Sequence, residues 1–166
     1  LPLADRTFTE DSISVRRLKG AGAVAAVQTT SSEFGGTNQT TTKIHGATRN
    51  PWNPDRTPGG SSGGSAAGVA GGIFTLATAS DGGGSIRIPA GFCGLFGLKS
   101  TFGRIPRGPG IILGNATSVE GSVSRSVRDS ARFLDVTNGF DLDDPKSLPR
   151  VENYEEKLGT HTEEIR

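Results

Sequence analysis

Two glycine-serine runs decide the fold of this chain: Gly59-Gly60-Ser61-Ser62-Gly63-Gly64-Ser65, the first run, and Asp81-Gly82-Gly83-Gly84-Ser85-Ile86-Arg87, the second run. Between them, the small residues at 64–72 predict a buried helix, and the apolar residues at 73–79 predict a central strand. A helix followed by a strand can return the chain to the same edge of a sheet. We therefore expect the two runs to meet at that edge.

The second run has the residue types of an acyl-transfer site. A serine that leaves a glycine turn, here Ser85, is a candidate nucleophile, because glycine amides can approach a developing oxyanion without interference from a Cβ atom. The amides of Gly82, Gly83 and Gly84 would form that oxyanion hole. An isolated run of this kind is more often a flexible turn. The presence of two runs, joined by a small-residue helix, favours a site.

Two other motifs fit the first run only in part. Residues 59–64 have the spacing of a phosphate-binding P-loop, but Ser65 stands where the lysine must be. Residues 60–64 also match a nucleophile elbow, yet the proline-bounded residues 54–58 before them cannot be the buried strand that an elbow needs. An elbow also needs a catalytic histidine later in the chain, and the one downstream histidine, His161, lies in a polar tail. We reject both motifs.

Composition excludes several classes of protein. The formal charge is +1, from 18 basic and 17 acidic residues without a charged block, so direct nucleic-acid binding is not expected. No apolar run approaches the roughly 20 residues of a membrane span, and residues 1–6 lack the features of a signal peptide. Cys93 is the one cysteine, and a cytoplasmic location is expected. With 33% hydrophobic residues and 25 glycines, an autonomous core is doubtful.

Hydrophobic periodicity indicates an α/β layered fold. The predicted elements are helices at 11–19, 64–72 and 126–136, a buried parallel strand at 23–27, strands at 73–79 and near Phe96, and a long ordered loop or site at 35–64. Ser126 caps the helix at 126–136, and Asn138-Gly139 ends it. We place the core of the domain at 1–140, followed by an acidic linker or tail at 141–166.

The residues of both runs resemble the signature of the amidase signature family. The resemblance is carried by Arg56-Thr57-Pro58-Gly59-Gly60-Ser61-Ser62-Gly63-Gly64-Ser65-Ala66-Ala67 and by Asp81-Gly82-Gly83-Gly84-Ser85-Ile86-Arg87-Ile88-Pro89-Ala90. It extends upstream through Arg49-Asn50-Pro51-Trp52 to Arg16 and downstream to the helix at Ser126. It implies an α/β/α fold around a mixed, mostly parallel sheet. This chain would supply only central pieces of that fold, so that the fold is incomplete in this chain.

The resemblance also implies a catalytic triad of serine, cis-serine and lysine. Ser85 would be the acylated nucleophile. Ser61, after a cis peptide bond from Gly60, would pass protons between Ser85 and a neutral lysine, with Ser62 in a supporting role. Metals and organic cofactors are not part of this scheme.

Asp81 and Arg87 flank the glycine turn, and two positions of the chain depart from the family's pattern. Asp81 and Arg87 are expected to pair and brace the turn. The family usually has a larger residue at Gly82, and its lysine-threonine-asparagine strand end reads Gln28-Thr29-Thr30 here. These departures leave the substrate preference open.

The lysine of the triad is expected before the first residue of this chain, because the family places it several dozen residues before the bridging serine. Lys19, Lys43 and Lys99 are expected to be solvated and not to replace it. His45 lies in the polar loop, and Cys93 is expected to be a buried small hydrophobic residue rather than a nucleophile.

The sequence thus predicts hydrolysis of a small carboxamide or anilide through an acyl-enzyme on Ser85. The chain would be a proteolytic fragment, part of a longer polypeptide or one subunit of a split enzyme, inactive by itself. Its expected partners are the amide substrate and the remaining N- and C-terminal parts or a companion chain, and a homodimer is compatible with the sequence. Two alternatives stay open: a subunit of a glutamine-dependent tRNA amidotransferase, and a non-catalytic scaffold segment.

Overall fold

The structure, a computed structural model, describes residues 7–109 and 116–160. Its elements in chain order are α1 (Ile13–Gly20), a 3₁₀ turn (Glu33–Gly35), β1 (Thr41–Thr42), β2 (Gly46–Ala47), α2 (Gly63–Ala70), β3 (Leu76–Asp81), α3 (Arg87–Cys93), β4 (Phe96–Lys99), β5 (Val119–Ser124) and α4 (Val127–Thr137). The predicted α/β class is confirmed. His161 and the start of the chain at 1–6 lie outside the described residues.

β5 is the centre of a three-stranded sheet with the order β3-β5-β4. It pairs antiparallel with both neighbours, so that Ser124 lies opposite Leu76 on one side and opposite Phe96 on the other. β3 and β4 run in the same direction but do not pair with each other, because β5 lies between them. The parallel pairing implied by the resemblance is therefore not found among the described strands.

Helices cover both faces of this sheet. On one face, α2 and α3 enclose a core cluster of Val69, Ile86, Ala90 and Val123. On the other face, α4 and α1 enclose a second cluster, built on Ile105, Phe133 and Leu134. The alternation of side chains along β5 serves both, since successive residues of a strand point to opposite faces. The layers are α/β/α.

Capping serines fix two of the predicted helices. In α1 the Ser12 hydroxyl accepts a hydrogen bond from the Val15 amide at 3.4 Å, and in α4 the Ser126 hydroxyl accepts one from the Asp129 amide at 3.1 Å. Asn138 ends α4. The helices expected at 11–19, 64–72 and 126–136 and the strand near Phe96 are confirmed, and the strand expected at 73–79 is found slightly later, as β3.

The buried strand expected at 23–27 is wrong. These residues form no regular secondary structure and belong to no ladder, and Val24 and Val27 are 88% and 60% exposed. Their alanines and valines have the composition of a strand, but no described strand lies beside them to complete the pairing. The 73–79 strand was also expected to be central, whereas β3 is an edge strand of the described sheet.

Residues 141–160 contain no helix or strand but lie against α4 and α1. Arg17 donates to the carbonyls of Thr137, Asn138 and Gly139 at 2.8–3.0 Å and forms an ion pair with Asp141 at 3.1 Å. The boundary predicted near residue 140 stays a prediction. None of the helices within the described ranges is both long and apolar enough to cross a membrane.

Candidate active site

The second run forms a tight turn between β3 and α3. β3 ends at Asp81, and α3 begins at Arg87. Gly84 has φ +119°, a conformation that side-chain-bearing residues rarely adopt, and a Cβ there would lie 2.6 Å from Ile88 Cδ1. The turn therefore requires glycine at this position, and it leaves Ser85 partly exposed beside α3.

The Asp81 carboxylate organises this turn from inside the protein. It is fully buried and accepts hydrogen bonds from the amides of Gly84, Ile86 and Arg87 at 2.8, 3.2 and 3.4 Å. The Arg87 guanidinium adds two bonds, at 2.9 and 3.0 Å, so the pairing expected from the sequence is present. Burial by itself would raise the pKa of Asp81, but the bonds from Arg87 and from the amides outweigh it and lower the pKa to about 2.

The peptide bond between Gly60 and Ser61 in the first run is cis, as the resemblance implied. Ser61 is 4% exposed, and its carbonyl accepts a hydrogen bond from the Ser32 amide at 3.2 Å. The buried hydroxyl of Thr40 donates to the Gly59 carbonyl at 2.9 Å, lies 3.3 Å from the Ser61 carbonyl, and accepts from the Gly63 amide at 3.1 Å. One threonine thus holds both sides of the cis bond.

The two runs meet, as the sequence predicted. The Ser62 amide donates to the Ser85 carbonyl at 3.3 Å. The Ser62 hydroxyl lies 3.3 Å from the Ser80 amide and 3.4 Å from the Ser80 carbonyl, at the end of β3. Within the described parts of the chain, no hydrogen bond joins the hydroxyls of Ser61 and Ser85. Backbone contacts therefore bring the two serines to the same place, and the direct link between their hydroxyls is not made.

The oxyanion hole predicted from three glycine amides needs one correction. The Gly84 amide is already bonded to Asp81 at 2.8 Å, so it is not a free donor in this conformation. The Gly82 and Gly83 amides make no hydrogen bond within residues 7–109 and 116–160, and both residues are exposed. These two amides stay candidates.

The other titratable side chains named from the sequence lie away from the runs or are inert. Lys19 pairs with Asp11 at 2.7 Å, and Lys43 and His45 are exposed in the β1–β2 hairpin. None of the chain's five lysines, all of which are described, forms a hydrogen bond with either run. Burial raises the pKa of Cys93 to about 11, which makes its thiol a poor nucleophile.

Three site residues were missed from the sequence. Thr40 holds the first run through its hydroxyl. The Ser32 amide bonds to the Ser61 carbonyl, while the buried Ser32 hydroxyl has no partner among the described residues. Gly35 lies close to Ser61, since a Cβ on Gly35 would be 3.7 Å from the Ser61 hydroxyl. They belong to a stretch rich in hydroxyl residues and without periodicity, so only the three-dimensional contacts distinguish them. No cluster of three or more metal-binding side chains occurs in the described portion.

Comparison with known proteins identifies the family. The amidase family model matches residues 2–166, nearly the whole chain. The chain belongs to the amidase signature family. Among its relatives, a glutamyl-tRNA(Gln) amidotransferase subunit from Salinibacter ruber is 42% identical over 165 residues, covering 99% of this chain and 32% of that protein. The acylamidase of Rhodococcus erythropolis is 42% identical over 153 residues, covering 91% and 32%.

Solved amidase signature structures share the fold. A bacterial aryl acylamidase superposes with a TM-score of 0.87 at 37% identity, covering 95% of this chain and 32% of that one. The peptide amidase of Stenotrophomonas maltophilia gives a TM-score of 0.82 at 36% identity, covering 90% and 32%. The chain therefore spans about a third of the length of these amidase signature relatives.

Proposed function

We propose that the protein to which this chain belongs hydrolyses a small carboxamide or anilide, with Ser85 as its nucleophile and Ser61 as its proton shuttle. The observation that carries the proposal is the bond from the Ser62 amide to the Ser85 carbonyl, because it brings the two runs to one place at the end of β3. Relatives named acylamidase and peptide amidase support the amide as substrate class.

In the proposed reaction, the Ser85 hydroxyl attacks the amide carbonyl while its proton passes through the Ser61 hydroxyl to a neutral lysine. Ser61 then returns a proton to the nitrogen of the departing amine, and water cleaves the acyl-enzyme. The amides of Gly82 and Gly83 would stabilise the oxyanion. Catalytic hydrogen bonds often tighten only in the substrate complex, so the bond between the two hydroxyls is expected to form there.

The base must come from outside residues 1–166 in this scheme. Each lysine of the chain is bonded elsewhere, exposed, or placed in β4 or the 141–160 segment, and none forms a hydrogen bond with Ser61. We therefore propose that the remaining parts of the polypeptide, or a companion chain, supply the lysine. The chain by itself would then be inactive.

The proposal is tested in the whole protein by Ser85→Ala. Turnover of 4-nitroacetanilide, followed by release of nitroaniline, should fall at least about a thousandfold, because the covalent route is lost. Ser61→Ala should be severe too, and the double variant should be no worse than Ser85→Ala. Ser31→Ala is the matched control, since Ser31 is exposed and its hydroxyl bonds, among the described residues, only to the neighbouring Ser32 carbonyl. Retention of activity by Ser85→Ala within a few-fold would rule out Ser85 as nucleophile.

A second candidate is release of ammonia from glutamine within a tRNA amidotransferase. It is favoured by the 42% identity to the Salinibacter ruber amidotransferase protein over 99% of this chain. The same Ser85 chemistry would act on the side-chain amide of glutamine. Glutamate formation that depends on companion chains, without turnover of 4-nitroacetanilide, would favour this candidate over the amidase.

A further inference from the structure

We infer that Asn50 and Trp52 are positioning residues for the nucleophile. They hold the C-terminal end of α3 and thereby set where Ser85 stands relative to Ser61. This inference rests on the proposed function, since it assigns these residues a role in the Ser85 reaction.

The contact is made on the last carbonyls of α3. The Asn50 side-chain amide donates to the Phe92 carbonyl at 2.9 Å, and the Trp52 indole N–H donates to the Cys93 carbonyl at 2.7 Å. Carbonyls in the last turn of a helix have no partner within the helix. The two side chains therefore act as an external cap on α3.

The cap is itself fixed before it reaches the helix. The Asn50 side-chain oxygen accepts a hydrogen bond from the Trp52 amide at 3.0 Å, and the Asn50 amide donates to the Arg56 carbonyl at 3.0 Å. Asn50 is 7% exposed. Because both donors belong to one ordered turn, they define a single position for the end of α3.

α3 transmits that position to the nucleophile. The Ile88 amide donates to the Gly84 carbonyl at 2.8 Å, and the Ala90 amide donates to the Ile86 carbonyl at 3.0 Å. Helical hydrogen bonds thus continue from α3 back through the residues on either side of Ser85. The helix is only seven residues long, so a shift of its end is felt at Ser85.

The segment that carries the cap also carries Ser61. Between them, the Pro58 carbonyl accepts from the Cys93 thiol at 3.7 Å. A Cβ on Gly59 would lie 3.1 Å from the Cα of Pro89, so the segment packs closely against α3 at this point. The segment 50–61 therefore contacts α3 near its start, through Asn50 and Trp52, and again near its end, at Gly59. It ends at Ser61, the proposed proton shuttle.

The exposure of Trp52 separates positioning from simple packing. Its side chain is 70% exposed, so it buries little apolar surface against the protein. What it offers to α3 is the indole N–H, at a short 2.7 Å. Removal of that donor should therefore disturb the geometry of the site more than the stability of the fold.

The test uses Trp52→Phe in the whole protein and measures the inactivation of Ser85 by phenylmethylsulfonyl fluoride. The maximal inactivation rate should fall about tenfold, because a small misplacement of reacting groups is enough for such a loss. The half-saturating reagent concentration and the melting temperature should stay as in the wild type. Incorporation of 3-benzothienylalanine at position 52, which keeps the ring shape but lacks the N–H, should reproduce the loss.

Asn53→Ala is the matched control, because its side chain belongs to the same turn and, within residues 7–109 and 116–160, bonds to the Asp55 amide and not to α3. This control should react with the reagent at the wild-type rate. Wild-type reactivity in Trp52→Phe, or equal losses of rate and melting temperature in Trp52→Phe and Asn53→Ala, would overturn the inference.

Ser85→Ala distinguishes failure of the positioning role from failure of the proposed function. If Ser85→Ala is inactive while Trp52→Phe is normal, only the positioning role fails. If Ser85→Ala keeps its turnover, the proposed function fails and the positioning role with it.

Discussion

Asp81→Asn changes one buried atom and tests how the nucleophile turn is held. The carboxylate accepts from five N–H groups, three of them amides and two on the Arg87 guanidinium. Both of its oxygens face donors, so the amide nitrogen of asparagine meets a donor whichever way it turns. The variant keeps the shape of the side chain and removes the charge.

The size of the effect follows from the pKa of Asp81. A fall of the pKa from the usual 3.8 to about 2 means that folding stabilises the ionised form of Asp81, relative to the protonated form, by roughly 2 kcal/mol. Arg87 is 56% exposed, and solvent screening limits its share of that figure. With the added mismatch of donor against donor, we expect Asp81→Asn to lower the free energy of unfolding by about 2 to 4 kcal/mol at pH 7.

The assay is urea unfolding of the whole protein at several pH values. Because the pKa is lower in the folded state, the stabilisation is present above the unfolded pKa of 3.8 and is lost as the pH falls toward about 2. The difference between wild type and Asp81→Asn should therefore be full at pH 6 and should shrink below pH 4. Asp55→Asn, at an exposed carboxylate, is the control. A difference that is absent at pH 6, or that persists unchanged at pH 3, would refute the reasoning.

Two further substitutions test the geometry of the runs. Gly84→Ala places a Cβ 2.6 Å from Ile88 Cδ1 at φ +119° and should cost about 1 to 3 kcal/mol of stability, with a loss of turnover. Its control is Gly91→Ala in α3, where a Cβ would meet no described atom within 4 Å and the melting temperature should not change. Equal melting temperatures of the two variants would contradict this account. Thr40→Val removes the hydroxyl that bonds Gly59 and Gly63, and it should lower stability by about 1 to 3 kcal/mol and also lower kcat. Thr41→Val, at an exposed position, should change neither quantity. A Thr40→Val variant with the melting temperature and kcat of the wild type would contradict the role given to this hydroxyl.

How far the sequence predicts this molecule depends on whether the signal is local. α1 and α4 could be predicted because their capping serines and apolar spacing lie within a few residues of each other. α3 could not be predicted because it contains Pro89 and Gly91, two residue types with low helix propensity. Pro89 lies in the first turn of α3, where proline is tolerated. β5 was missed because its inward positions alternate between valine, glycine and buried serine.

The same distinction applies to the site. Ser61, Ser85, Asp81 and Arg87 were named because their motifs are contiguous in the sequence. Thr40 was not, since its role depends on contacts with residues about 20 positions later. The strand expected at 23–27 failed for a related reason: composition describes a strand, but a neighbouring strand must be present for it to pair.

The position of β5 in the sheet sets an order of events during folding. β3, which ends at the nucleophile turn, has no ladder partner among the described residues until Val119–Ser124 has been added beside it. Contacts between residues this far apart in sequence form late, because the intervening loop must close first. During synthesis the turn that presents Ser85 would therefore leave the ribosome well before the strand that fixes it. A protein truncated near residue 105 should hold that serine on an unpaired strand, open to proteases and to association with other exposed edges.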